Sequence, residues 1–152
     1  LRELTLLYAP QVNSYKRFVP GSFAPTAVAW GEDNRTCSMR VVGHGQSLRV
    51  ENRLPGADVN PYIALAAMIA AGLHGIDAEL PLEPAFEGNA YESDKPRVPS
   101  NIYEARDSLV AKGATVLGEP RIGAHGTLII FVHPKDMGGM LVELMETPKD
   151  AH

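Results

Sequence analysis

The 152-residue sequence predicts an α+β fold: an antiparallel sheet carrying one buried helix, then a second helix and a βββ tail. Three observations predict it. Strand-like runs at Ala27–Trp30, Thr36–Val42 and Ser47–Arg53 are separated by Gly31-Glu32-Asp33-Asn34 and by Gly43-His44-Gly45, which is good turn material. Residues 60–75 (NPYIALAAMIAAGLHG) are apolar almost all round and carry helix signals at both ends. After Ser100 a helical stripe gives way to three more strand-like runs.

Taken in order, residues 2–8 (RELTLLY) read as a short strand ended by Ala9-Pro10, and 11–26 as a long loop with polar anchors. The three runs that follow read most simply as an antiparallel meander. Asn60 is placed to cap the apolar helix, Pro61 suits its first position and Gly75 its end. Its uniform apolarity predicts burial. Residues 76–99, rich in Pro, Glu and Gly, read as an extended surface segment. Ser100 is the expected cap of a helix Asn101–Lys112, with Ile102, Ala105, Leu109 and Val110 on one stripe and Gly113 beyond it. Ala114–Leu117, Thr127–His133 and Met140–Glu146 read as strands, the last two joined by a hairpin loop over 134–139.

Composition narrows the function classes. With 45% apolar residues, 21% charged ones and a net charge of −4, the chain is an ordinary globular protein with little to attract nucleic acid. The apolar run from Pro61 to Leu73 is shorter than the roughly 20 residues of a membrane span, and no secretory signal opens the chain. The single cysteine, Cys37, excludes an internal disulfide and fits a reducing, cytoplasmic setting. The first residue is Leu1 rather than Met, which suggests a fragment. Charge is unevenly spread: residues 1–53 hold seven cations, six of them arginines, against four acids, and the remainder holds a net −7. Arginine's planar fork suits carboxylate and phosphate.

The most informative stretch is Leu48-Arg49-Val50-Glu51-Asn52-Arg53-Leu54. Strand alternation puts Arg49, Glu51 and Arg53 on one face. That face is either a solvated, salt-bridged surface worth little, or an anion site in which arginines take phosphate or carboxylate and the glutamate holds a divalent metal.

The surrounding motifs carry a resemblance. Asn-Ser-Tyr-Lys-Arg (13–17), Val-Pro-Gly (19–21), Ala-Pro (24–25), Asn-Arg (34–35), Met-Arg (39–40), Arg-Val-Glu-Asn-Arg (49–53), Asn-Pro-Tyr (60–62) and Pro-Ser-Asn-Ile-Tyr-Glu-Ala (99–105) occur in order. Together, over residues 1–107, they resemble the C-terminal part of the catalytic domain of the glutamine synthetase family. The resemblance implies an enzyme that activates a glutamate γ-carboxylate with ATP and lets an amine displace the phosphate. It implies Arg17 and Arg53 as holders of the glutamate carboxylates and Arg35 as the catalytic arginine near the transferred phosphate. Arg40 and Arg49 match arginines on the ATP phosphates, alongside Arg35, and Glu51 matches a ligand of Mg²⁺ or Mn²⁺. Charge neutralisation and positioning are what phosphoryl transfer needs.

One departure stands out. Glutamine synthetases proper carry a glutamate two residues after Val-Pro-Gly, where this chain has Phe23, which cannot take a proton. The Gly-Ser-Phe-Ala-Pro-Thr form looks more like the branch that joins glutamate to larger amines such as polyamines.

From about Leu109 the pattern changes. Ala-Lys-Gly (111–113), Pro-Arg-Ile-Gly-Ala-His-Gly (120–126), His-Pro-Lys (133–135) and Gly-Gly-Met-Leu-Val-Glu-Leu (138–144) resemble the end of methylmalonyl-CoA epimerase, of the vicinal-oxygen-chelate family. That resemblance implies Glu143 as a ligand of a divalent metal such as Co²⁺, on a strand face with Leu141 and Met145. If the hairpin packs differently, Glu143 is an exposed edge-strand acid. His44, His74, His125 and His133 read as solvent-facing or hydrogen-bonded rather than as metal ligands.

The expectations are therefore a partial ligase domain over 1–107 joined to a partial vicinal-oxygen-chelate module over 108–152, as in a truncated or chimeric reading frame. The leading function is a fragment of an ATP-dependent glutamate–amine ligase, inactive alone, acting on small molecules and not on nucleic acid or membrane. The alternatives are a metal-dependent epimerase-like protein using Glu143, and a non-catalytic fragment that completes a site with a partner subunit. Both resembled families are homo-oligomeric, and incomplete sheets favour self-association.

Overall fold

The computed structural model of the protein describes residues 1–124, 126–137 and 139–145. His125, Gly138 and Glu146 lie outside these.

Residues 2–8 do not form a strand. A turn over residues 2–4 leads into helix α1, Thr5–Tyr8, with the Thr5 hydroxyl donating to the Leu1 carbonyl at 3.0 Å. Leu1, Leu4 and Leu7 pack on the core from one side and Leu6 and Tyr8 are buried. The run carries leucines at a three-residue spacing as well as an alternation, and packing selects the helix. A 3₁₀ turn at Val12–Arg17 follows, and Tyr15 meets Phe18 edge to face with ring centroids 5.8 Å apart.

The first sheet has the order β1-β2-β3, with β1 at Ala27–Glu32, β2 at Cys37–Val42 and β3 at Arg49–Asn52. The expected meander holds for β2 and β3, which are antiparallel with Arg40 opposite Glu51. It fails for β1 and β2, which pair in parallel, Ala27 beside Cys37 and Glu32 beside Val41. The sheet is mixed. Asn34 fixes the link between them: its Oδ1 accepts from the Thr36 amide at 3.0 Å and hydroxyl at 2.7 Å, and its Nδ2 donates to the Phe86 and Gly88 carbonyls. Where the β1–β2 register shifts, the buried Ser38 hydroxyl accepts from the Ala29 amide and donates to its carbonyl, at 3.2 and 3.0 Å. That satisfies two backbone groups the ladder leaves over.

Residues 83–98 run beside β1. The Phe86 amide donates to the Trp30 carbonyl, the Trp30 indole to the Glu83 carbonyl, and the Val28 amide to the Pro96 carbonyl, each at 2.7–2.8 Å. The segment is extended, as expected, with a 3₁₀ turn at Ala90–Glu92, but it is not all surface: Ala90 and Val98 are buried.

Helix α2 spans Pro61–Asp77, with Pro61 at its start and the Asn60 side chain accepting from the Tyr62 and Ile63 amides. It runs past Gly75. It is not buried: Ala64 and Ala67 face the core, but Tyr62 is 84% exposed, Ile69 62% and Ile76 73%. Apolarity all round marks a helix suited to cover on several sides, and among the described residues only one side is covered. Tyr62, Leu65, Ile69, Leu73 and Ile76 make one continuous outward face, an apolar patch of the kind that drives association. Sedimentation of the chain is expected to show concentration-dependent self-association that Ile69→Glu reduces; identical profiles would count against it. Among the described residues, no helix is long and apolar enough to cross a membrane.

Helix α3, Ile102–Val110, is capped by Asn101, one residue later than expected, while Ser100 donates through both amide and hydroxyl to Glu104. Strands β4 (Val116–Ile122), β5 (Leu128–Val132) and β6 (Val142–Met145) form an antiparallel sheet in that order. Val132 and Met137 lie in the same apolar cluster as Leu6, Tyr8, Leu54 and Ile102, so the tail shares the main core.

Candidate active-site face

β2 and β3 bring Arg40, Arg49 and Glu51 together. Arg40 Nη1 donates to Glu51 Oε2 at 2.9 Å, and Arg49 Nη2 to Glu51 Oε1 at 3.1 Å. Antiparallel register supplies the first contact and strand alternation the second. A third group joins them: Arg40 donates through Nε at 2.9 Å and through Nη2 to Oδ1 of Asp33. Asp33 lies in the β1–β2 link, where strand periodicity gives no signal for it.

The hydrogen bonds from Arg40 hold the Asp33 and Glu51 carboxyls below the ordinary carboxylate range, and the two acids raise Arg40 further. Depressed carboxyls contribute stability that is whole at neutral pH and lost as the pH falls through their folded-state values, within about pH 5 to 2. The urea midpoint is therefore expected to fall between pH 7 and pH 3, and Arg40→Met to shrink that difference. An unchanged difference would remove the network from the acid response.

Arg53 does not continue the Arg49–Glu51 face. It lies just past β3, its amide donates to the Ser38 carbonyl at 2.9 Å, and its Nη2 donates to the Phe23 carbonyl at 2.7 Å. Among the described residues its buried Nε has no hydrogen-bond partner. Phe23, 66% exposed, holds a left-handed backbone at φ 61°. Arg17 Nη2 donates to the Leu54 carbonyl at 2.9 Å, and a Cβ on Gly56 would come within 2.5 Å of Arg17 Nη1, so glycine makes the room. Arg17 is thus tied to the carbonyl of Leu54, the fully buried residue that follows Arg53. Arg35 is exposed in an open cleft with Glu32, Asp33, Phe86 and Glu87.

Glu143 stands apart, exposed on the edge strand β6 opposite Phe131. The His133 ring accepts from the Lys135 amide at 3.1 Å. Among the described residues, no three His, Cys, Asp or Glu side chains converge as a metal site. Glu51, with both oxygens on arginines, is one donor where a hard divalent cation takes six or more, so these residues do not by themselves fit a metal. The arginine set is the group suited to an anion: Arg35, Arg40 and Arg49 stand on neighbouring strands and links, Arg40 already holding two carboxylates, and Arg53 carries a buried Nε without a partner among the described residues.

The same set of motifs and fold recurs in known proteins. The family described as glutamine synthetase, catalytic domain, matches residues 1–125. Gamma-glutamylethanolamide synthetase GlnA4 of Streptomyces coelicolor is 64% identical over 118 residues, 75% of this chain and 26% of that protein. Gamma-glutamylputrescine synthetase PuuA of Escherichia coli is 51% identical over 58% of this chain and 19% of its own length. Glutamate–isopropylamine ligase of a Pseudomonas species is 47% identical over 60% and 20%. The solved structure "GmaS/ADP complex-Conformation 1" superposes with a TM-score of 0.64 at 33% identity, over 72% of this chain and 27% of that one. The chain belongs to the glutamine synthetase catalytic-domain family and is close to its glutamate–amine ligases. It spans about a quarter of the length of these relatives.

Proposed function

We propose that the chain is the arginine-bearing part of an ATP-dependent glutamate–amine ligase whose acceptor is an organic amine rather than ammonia. The observation that carries this is Arg17 on the carbonyl of Leu54, the residue after Arg53, together with an Arg53 Nε that is buried without a hydrogen-bond partner among the described residues. In this reading the two arginines hold the glutamate carboxylates, and Arg35, Arg40 and Arg49 face the phosphates, with Arg35 nearest the group transferred. ATP, when bound, supplies the phosphoryl group that activates the γ-carboxylate. The chain's own residues bind, orient and neutralise charge. Glu51, whose two oxygens are held by Arg40 and Arg49, would serve Mg²⁺ or Mn²⁺ only as one donor among others supplied from elsewhere. Phe23, exposed where ammonia-using relatives have an acid by the sequence resemblance, suits a bulkier amine. With its one buried cysteine, Cys37, the chain suits the cytoplasm.

Calorimetry with L-glutamate tests the reading. Binding is expected in the wild-type chain and its loss in Arg53→Met. Turnover with ATP, glutamate and an alkylamine is expected to be absent from the chain alone, because one metal carboxylate does not hold the ion. Unchanged glutamate affinity in Arg53→Met, or turnover by the isolated chain, would each overturn part of it.

A second reading concerns residues 108–152. The order helix α3, β4, β5, β6 supports a partial vicinal-oxygen-chelate module joined to the ligase part at 107/108. Glu143 is its candidate Co²⁺ donor, and a Co²⁺ titration that responds to Glu143→Gln and not to Glu51→Gln is the test.

A further inference from the structure

Arg40 meets a carboxylate on each side of its guanidinium. A guanidinium offers five N–H donors in a fork that grips an anion along one side. In Arg40 the Nε/Nη2 side is filled by Asp33 and Nη1 points at Glu51. The side chain is only 11% exposed, so a third anion cannot simply be added. A phosphate that uses this arginine has to take the place of one of the two carboxylates.

The two are not equally held. Glu51 sits on β3 directly opposite Arg40 and is shared with Arg49. Asp33 sits in the link, its side chain 73% exposed and, among the described residues, bonded to Arg40 alone. Returning an exposed carboxylate to water costs little, whereas removing Glu51 would break its contacts with two arginines at once. Asp33 also adopts a left-handed backbone at φ 45°, and its amide is fixed to the Val41 carbonyl at 2.8 Å. Only the side chain is free to leave. The backbone that presents it stays.

We propose that Asp33 is a specificity residue: a resident carboxylate on Arg40 that gives way to a polyphosphate and excludes singly charged anions. The inference rests on the reading of Arg40 as a phosphate-binding arginine. A monocarboxylate exchanging for Asp33 trades one charge-assisted pair for an equal one and gains nothing. A phosphate chain brings several charges and engages Arg49 and Arg35 in the same step.

The test is calorimetry with sodium tripolyphosphate at low salt, and with acetate as the singly charged probe, on the full chain. Asparagine tolerates the left-handed conformation nearly as well as aspartate, so Asp33→Asn keeps the link. Asp33→Asn is expected to tighten tripolyphosphate about five- to tenfold and to let acetate compete with it. Glu32→Gln, the same charge change on the adjacent residue, is expected to alter affinity less than about twofold. Arg40→Met is expected to abolish the difference between Asp33 and Asp33→Asn backgrounds. Equal tightening by Glu32→Gln would reduce the effect to general charge and overturn the proposal. Unchanged affinity in Asp33→Asn, with binding still lost in Arg40→Met, would overturn the role of Asp33 and leave the phosphate reading standing. Tripolyphosphate binding indifferent to Arg40→Met would overturn both.

Discussion

Leu54→Ala is expected to lower the stability of the chain by about 2–5 kcal/mol, the range for emptying a closed aliphatic site, read as a shift in the urea midpoint. Leu54 is fully buried in the main cluster with Leu6, Tyr8 and Phe18, two residues past the strand that carries Arg49 and Glu51. Its backbone is held as firmly as its side chain: the amide donates to Asn52 Oδ1 at 3.1 Å and the carbonyl accepts from Arg17. A cavity there therefore loosens Arg17 and Arg53 together, and glutamate affinity should fall along with stability. A variant that loses less than about 1 kcal/mol, below the range for such cavities, would show that this part of the core relaxes to fill the space.

Gly31→Ala is the second large effect. A Cβ at Gly31 would lie 2.7 Å from the Phe86 carbonyl oxygen, 2.9 Å from the Asn34 Cβ and 3.2 Å from the Cys37 sulfur. The first contact is backbone and cannot swing aside, so the 86–88 segment or β1 has to move, at about 1–3 kcal/mol for an overpacked site. Cys37 reports on it directly. Its thiol is buried, and burial pushes its pKa up, so it should be unreactive to thiol reagents in the folded chain. Alanine at Gly31 is expected to speed its labelling well before global unfolding. Labelling as slow as in the wild type would mean that the two strands and the 86–88 segment absorb the methyl group without opening.

The sequence makes some of this architecture readable and leaves other parts hidden for physical reasons. The Asn60-Pro61 start of α2 is legible because cap chemistry is local. Of the tail strands β5 and β6 are legible from their apolar runs, whereas β4 runs from Val116 to Ile122, well past the expected Ala114–Leu117; the Arg49–Glu51 pair is legible because alternation within one strand sets it. The parallel pairing of β1 and β2 is not, since it depends on Asn34 reaching carbonyls more than fifty residues away. Seven residues at 2–8 carry both a two- and a three-residue spacing, so the α1 segment could not be decided without its packing partners. The outward face of α2 shows the limit in another form: periodicity reveals which residues are apolar, not what lies against them. At the site, Arg53 leaves the expected face because β3 ends one residue earlier, and Asp33 enters it from a link that pattern reading treats as a turn.

The contacts along β1 have a directional consequence. With residues 83–98 bonded to its outer side through Trp30, Val28 and Ala27, β1 offers no free ladder to another polypeptide. β2 is central, so the first sheet can be extended only beyond β3. Any strand recruited there would be laid down alongside Arg49 and Glu51, so enlarging this sheet would also widen the charged face that they form.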